Sequence, residues 1–245
     1  MVLMKKRAPS RPSLVDKRHA MRFCNTLTMR SLFTLVLLAA VVVLTSCTMA
    51  PVSTGPYHVT AYKPNDPSKV RVKVSLSKQN VYVMEGDRLL MAVATSVGIP
   101  AKPTPKGNFT IYSKQEEKRS GSYGFRVQGD RVVPADAGSS IPGRYVGYPM
   151  GFWCEFSPAY GFHQGFVHPY PRTHGCLRLH GEAAPKFFAL VKIGTPVSIA
   201  TTQPEDEKFD KMVKRVDDSK APDPDPRLMV TTKAFEKPTG PLFDD

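Results

Sequence analysis

Acid is what this sequence is short of: 34 Lys and Arg stand against 21 Asp and Glu in 245 residues, a formal net charge of +13 and a pI near 9.7. An excess of that size raises nucleic acid as a partner until the charge is located. Residues 1–46 carry eight basic residues and one acid, over half of the excess, and leave 26 basic against 20 acidic residues for the rest. No arginine-rich stripe interleaved with aromatics occurs, so no nucleic-acid partner is expected. The apolar run Ser31 to Ser46 is too short for a comfortable membrane span. There is no His-Glu-x-x-His, and the spacings of His163, His168, His174, Cys176 and His180 fit no common zinc template, so neither metal nor other cofactor is expected. Tryptophan occurs once, as Trp153, in an apolar segment that reads as core.

What is present begins with an address. A long basic segment, the apolar run and small residues at its end make a secretory signal. Its end, Leu44-Thr45-Ser46-Cys47, resembles a bacterial lipoprotein box. That resemblance implies a signal over 1–46, lipidation of Cys47 and a chain tethered in the cell envelope outside the cytoplasm. Thr48, where aspartate would favour inner-membrane retention, points by the same resemblance to the outer membrane. An uncleaved anchor helix is the other reading, and Met29 is a second candidate start. Pro51, Pro56, Pro64 and Pro67 mark residues 47–68 as a spacer.

The composition, 41% hydrophobic with 9% aromatic, is globular. Apolar and polar residues alternate from Val70 to Leu76 and again from Gln79 to Met84. Glu85-Gly86-Asp87 turns the chain into Arg88–Thr95, a hairpin pattern. A Pro-rich loop from Gly98 delivers a strand over 109–113, residues 114–144 read as polar loops, and Tyr145 to Phe156 reads as a strand. Apolar residues then recur at helical spacing from Glu182 to Val191, before a last strand that ends at Ala200. The expected class is mostly β with a short helix (α+β), the domain spanning 69–201. Residues 202–245 are charged and Pro-rich and are expected to be a disordered or loosely docked tail, with one short helical stretch over 209–216.

The stretch from Gly161 to Leu179 holds the chemistry: one cysteine, three histidines and two arginines, with glycines and prolines between them. A thiolate attacks carbonyls well, yet a free cysteine is only a few per cent ionised near neutral pH, so it needs an imidazole nearby and donors for the oxyanion. Cys176 fits the nucleophile. His163, thirteen residues upstream, can return beside it if Gly165 to Arg172 loop between two strands, and imidazole suits proton transfer near neutrality. Gly175 lets backbone N–H groups approach a carbonyl. Arg178 lies two residues past the cysteine, on the same side of an extended chain, where it can hold a carboxylate. Of the other cysteines, Cys24 and Cys47 belong to the export segment, and Cys154 reads as a buried apolar residue.

Thr173-His174-Gly175-Cys176-Leu177-Arg178 resembles the Ser/Thr-His-Gly-Cys-aliphatic-Arg signature of L,D-transpeptidase (YkuD-like) catalytic domains, and Gly161-Phe-His-Gln-Gly resembles the segment that carries their base. Thr104-Pro105-Lys106-Gly107 matches the N-terminal half of such domains as a turn. The resemblance covers about Val70 to Ala200 and implies a β-sandwich. It implies Cys176 as nucleophile, His163 as base and the Gln164 carbonyl as its orienting partner. It further implies Gly175 and Cys176 as oxyanion donors, His174 shaping the site, and Thr173 and Arg178 on the substrate side. The implied reaction forms a thioester with a peptidoglycan stem tetrapeptide, expels D-alanine and cross-links the acyl group to an acceptor amine; a monomer is expected. Water or a D-amino acid as acceptor, attachment of an envelope protein, or an inactive wall-binding module remain alternatives.

Overall fold

A computed structural model describes residues 57–237 and 239–244; the expected signal over 1–46 and the lipidation site Cys47 lie outside the described residues. Ten strands form two five-stranded sheets. The first contains β1 (Val70–Ser75), β2 (Asn80–Glu85), β3 (Arg88–Ala94), β4 (Gly107–Thr110) and β10 (Pro196–Ala200), in the order β3-β2-β1-β10-β4. The second contains β5 (Ser113–Gln128), β6 (Arg131–Asp136), β7 (Arg144–Ser157), β8 (Tyr160–Gln164) and β9 (Leu177–Leu179), in the order β6-β5-β7-β8-β9. Each sheet has one parallel pair, β1 with β10 and β8 with β9; the remaining pairs are antiparallel. The class is mostly β, as the alternating patterns predict.

Alternation explains the core. Val70, Val72 and Val74 of β1 point inward with Val81 and Val83 of β2, and meet Phe152, Cys154, Phe156 and Phe162 of the second sheet. Helix α1 (Ala184–Leu190) closes one end, with Phe187 4.5 Å from the Phe162 ring. Lys114 caps its C-terminus, where the carbonyls of Phe188 and Val191 accept from Nζ at 2.7 and 2.6 Å.

Three expectations change. Most of residues 114–144 is strand: β5 and β6 form a long hairpin, and β5 pairs along β7, with 137–143 left as a loop. Their polarity reflects a ribbon exposed on much of both faces, which hides the period-two signal. The expected spacer docks from Tyr57 onward. Val59 and Ala61 are buried in the main core, and Ala61 is held by Asp244, whose Oδ2 accepts its N–H at 2.8 Å.

The tail, expected to be disordered or loosely docked, packs on the sheets as well. It holds α2 (Glu205–Phe209) and α3 (Pro226–Met229) with short 3-10 turns after each. Phe209, Val213 and Val216 cover the outer face of the first sheet over Tyr82, Met84 and Ala94, which is why β2 is buried on both sides. Farther on, Arg119 donates to the carbonyls of Met229 and Thr231 and lies over the Phe235 ring. Asp206, Asp210 and Arg215 bond to the first sheet and its β1–β2 turn, partners that the composition does not reveal.

Gln203 starts this docking. Its side chain is buried, and Nε2 donates to the carbonyls of Val74 and Ser198 at 3.1 and 3.0 Å. Gln203→Ala is expected to cost about 1–3 kcal/mol, read as a lower urea midpoint with an unchanged slope.

Candidate active site

The site is built on the parallel pair β8–β9. Phe162 pairs with Leu177, His163 with Arg178 and Gln164 with Leu179. Phe162, Leu177 and Leu179 enter the core, so His163, Arg178 and, one step before the strand, Cys176 share the opposite face. Continuing the register sets Gly161 across from Cys176. A Cβ on Gly161 would lie 2.7 Å from the Trp153 ring and 2.8 Å from the Cys154 carbonyl, so only glycine fits. The other edge of β9 is fixed by Ser96, which exchanges backbone bonds with Arg178 at 3.2 and 3.1 Å.

Between the strands runs the loop 165–176. It has few bonds of its own and is pinned from outside. The Arg172 and Thr173 N–H groups donate to the Val97 carbonyl at 3.0 Å, and the His168 N–H donates to Ser96 Oγ at 2.7 Å. At its end, Thr173 Oγ1 donates to the Cys176 carbonyl at 2.7 Å and accepts from the Gly175 N–H at 3.1 Å. Gly175 has φ +111°, and a Cβ there would sit 2.3 Å from the Tyr160 ring.

This geometry corrects two sequence expectations. Thr173 is 2% exposed and both hydrogen-bonding roles of its hydroxyl serve the turn, so it is a clamp rather than a substrate contact. The Gly175 N–H is taken by that clamp, whereas the Cys176 N–H has no partner among the described residues. Of these two N–H groups, only that of Cys176 is left unpaired among the described residues.

His163 is buried, its ring 6.0 Å from Trp153. Its Nδ1 lies 2.8 Å from the Gln164 carbonyl. A carbonyl can only accept, so Nδ1 carries the proton in that bond and a neutral ring keeps Nε2 as the acceptor. Burial, with help from Arg178, pushes the imidazole pKa down to about 4. Burial pushes the Cys176 thiol up, opposed by hydrogen bonding from the Gly161 backbone and by Arg178. The thiol's own contact is the Ala159 carbonyl, 3.7 Å from Sγ. Ala159 sits at the β7–β8 turn with φ 64°, a left-handed conformation that aims this carbonyl at the sulfur. At rest, then, both groups are neutral, and the thiol is not hydrogen-bonded to the imidazole.

Arg178 is half-buried. Its side chain passes over Gly165, where a Cβ would lie 3.1 Å from its Cδ. Desolvation lowers its pKa, with Tyr148 and Cys176 opposing. His174 is exposed and packs 4.9 Å from the Tyr123 ring on the β5–β6 hairpin, and Lys102 donates to the Tyr123 hydroxyl at 3.1 Å. His180 accepts from the Glu182 N–H and meets Tyr57 edge-on, a structural role. Cys154 is buried, with its thiol pushed up to about 12 by desolvation, and is inert. Ala159 and Tyr160 escaped the sequence reading, which took Trp153 as core and gave Gly161 no role of its own; the Pro158-Ala159 turn beside an aromatic strand was the available signal. Among the described residues no three His, Cys, Asp or Glu side chains gather to hold a metal ion.

Comparison with known proteins follows from this geometry. A model of the L,D-transpeptidase catalytic domain family (YkuD) matches residues 69–199. No curated protein matches. Among solved structures, an L,D-transpeptidase from Stackebrandtia nassauensis is 18% identical with a TM-score of 0.41, over 59% of this chain and 60% of its own. One from Mycobacterium smegmatis is 15% identical with a TM-score of 0.41, over 54% and 58%. L,D-transpeptidase 1 of Mycobacterium tuberculosis is 20% identical with a TM-score of 0.40, over 54% and 61%. This chain thus spans about three-fifths of the length of each. With the family match beginning one residue before β1 and ending inside β10, the chain belongs to the L,D-transpeptidase (YkuD) catalytic domain family.

Proposed function

We propose that this chain is a cysteine acyltransferase that works on peptidoglycan stem peptides outside the cytoplasm, tethered through a lipid on Cys47. The observation that carries the reading is the common face of Cys176, His163 and Arg178 on two adjacent parallel strands, with Nδ1 of His163 committed to the Gln164 carbonyl. In the reaction, Nε2 of His163 accepts the thiol proton as sulfur attacks the amide carbonyl after the third stem residue. The Cys176 N–H faces the developing oxyanion, an interaction worth on the order of 3 kcal/mol where such a donor is preorganised. The proton passes to the departing D-alanine amine, leaving a thioester. An acceptor amine from a neighbouring peptide then displaces Cys176, giving a link between two third-position residues. Arg178 holds a donor carboxylate.

Resting neutrality has a kinetic consequence. A thiolate–imidazolium pair would need the His163 pKa above that of Cys176, whereas burial moves the two in opposite senses. The thiolate is therefore made during attack, once substrate and the oxyanion donor stabilise it.

The decisive experiment is intact-mass spectrometry of the chain with a tetrapeptide donor. An adduct lacking D-alanine should form on wild type and be absent from Cys176→Ala; no adduct on folded, reduced wild type would refute the acyltransferase and leave a wall-binding module. Alkylation of the Cys176 peptide by iodoacetamide should climb with pH throughout the range from about 6 to 9 without levelling off, because burial pushes the thiol above its ordinary value. A plateau below neutrality would reveal a resting ion pair and sink the neutral-pair account. Arg178→Gln should raise the half-saturating donor concentration about tenfold with a smaller change in kcat, measured by D-alanine release.

A further inference from the structure

The loop between base and nucleophile has one partner that the family match does not include. Val167, near its start, is 1% exposed, and its side chain belongs to the apolar cluster formed by Tyr82, Met84, Ala94 and Val213. Its backbone is held in both directions by one tail residue. The Val167 N–H donates to Asp218 Oδ2 at 2.8 Å, and the Asp218 N–H donates to the Val167 carbonyl at 2.9 Å. A carboxylate accepting a backbone N–H is a charge-assisted bond, stronger than a neutral one.

The tail segment that brings Asp218 there is itself tied to the first sheet. Asp206 accepts from the hydroxyls of Ser75 and Tyr82 at 2.7 and 2.9 Å. Arg215 donates to the Lys78 carbonyl at 2.8 Å, to Asn80 Oδ1 at 2.7 Å and to Asp210 at 2.7 Å. A continuous set of bonds thus runs from β1 and β2 through residues 203–218 to Val167, three residues past Gln164, whose carbonyl orients the base. With Asp218 removed, the Val167 N–H would be left buried and unsatisfied, and this end of the loop would have to reorganise to reach water.

We propose that Asp218 is a positioning residue for the catalytic loop, and that residues 203–218, outside the stretch matched to the family, are a working part of the catalytic unit. The consequence for chemistry rests on Cys176 and His163 acting as proposed above. The consequence for the loop does not.

Two measurements on the full chain separate these. Hydrogen exchange should show amides of 165–173 protected in wild type and in Asp218→Asn, which keeps an acceptor oxygen. In Asp218→Ala that protection should fall by tenfold or more, while β1–β3 keep theirs. Acylation of Cys176 by the donor tetrapeptide should slow on the order of tenfold or more in Asp218→Ala at an unchanged half-saturating concentration, and return close to wild type in Asp218→Asn. Equal loop protection in wild type and Asp218→Ala, wild-type acylation by the alanine variant, or an asparagine variant as impaired as alanine would each overturn the proposal. If Asp218→Ala does not fold, the unaltered chain decides: a Val167 amide that exchanges at the rate of a free loop overturns it. If wild type is never acylated, the function fails while the exchange data still judge the loop.

Discussion

The parallel pairing of β8 with β9 is the constraint on which the rest of this molecule depends. Parallel neighbours need a crossover of about a dozen residues or more, usually filled by a helix that satisfies its own backbone. Here the crossover is residues 165–176, twelve in all, and it contains no helix. Its polar backbone finds partners on three separate elements, Leu179 of β9, the Ser96–Val97 segment and Asp218 of the tail, and on the loop's own Thr173 hydroxyl. An irregular segment held from so many sides is stiff without being regular. That stiffness delivers Cys176 to the same face as His163 although thirteen residues separate them.

Burial supplies the second half of the argument. The face of β8 and β9 that carries the chemistry is backed by Trp153 and closed beside Tyr160, so charge is costly there before substrate arrives. His163 and Cys176 both respond by staying neutral, and each has its remaining valence committed to backbone: Nδ1 to the Gln164 carbonyl, the thiol to the Ala159 carbonyl. A resting site of this kind keeps the nucleophile from ionising, and so from oxidising, until an acyl donor is bound.

Much of this was legible because it depends on local pattern. The valines of β1 and β2 alternate, and Cys176, His163 and Arg178 fall at spacings that a strand–loop–strand turns into one face. What escaped the sequence depends on non-local pairing. The β5–β6 hairpin has two wet faces, so its residues read as loop even though Gly124 of β5 is required by the β7 backbone, whose Val146 carbonyl lies 2.2 Å from where a Cβ would be. Thr173 was placed on the substrate side by the family resemblance; only the turn geometry reveals that its hydroxyl bonds within the turn. One of its two bonds also commits the Gly175 N–H within the turn.

The tail was misread for a related reason. Charge and proline are the composition of disorder when no partner is in view, and here the partners are sheet edges and carbonyls more than a hundred residues away. Two of its contacts matter in different ways. Covering Tyr82 and Met84 removes apolar surface from water, a gain that any apolar segment could supply. The reciprocal bonds between Asp218 and Val167 have direction and a fixed length, so they select one position of the loop among those that burial alone would allow. Apolar burial therefore holds the tail to the first sheet, and the hydrogen bonds transmit that hold to the second sheet, where the reacting groups are.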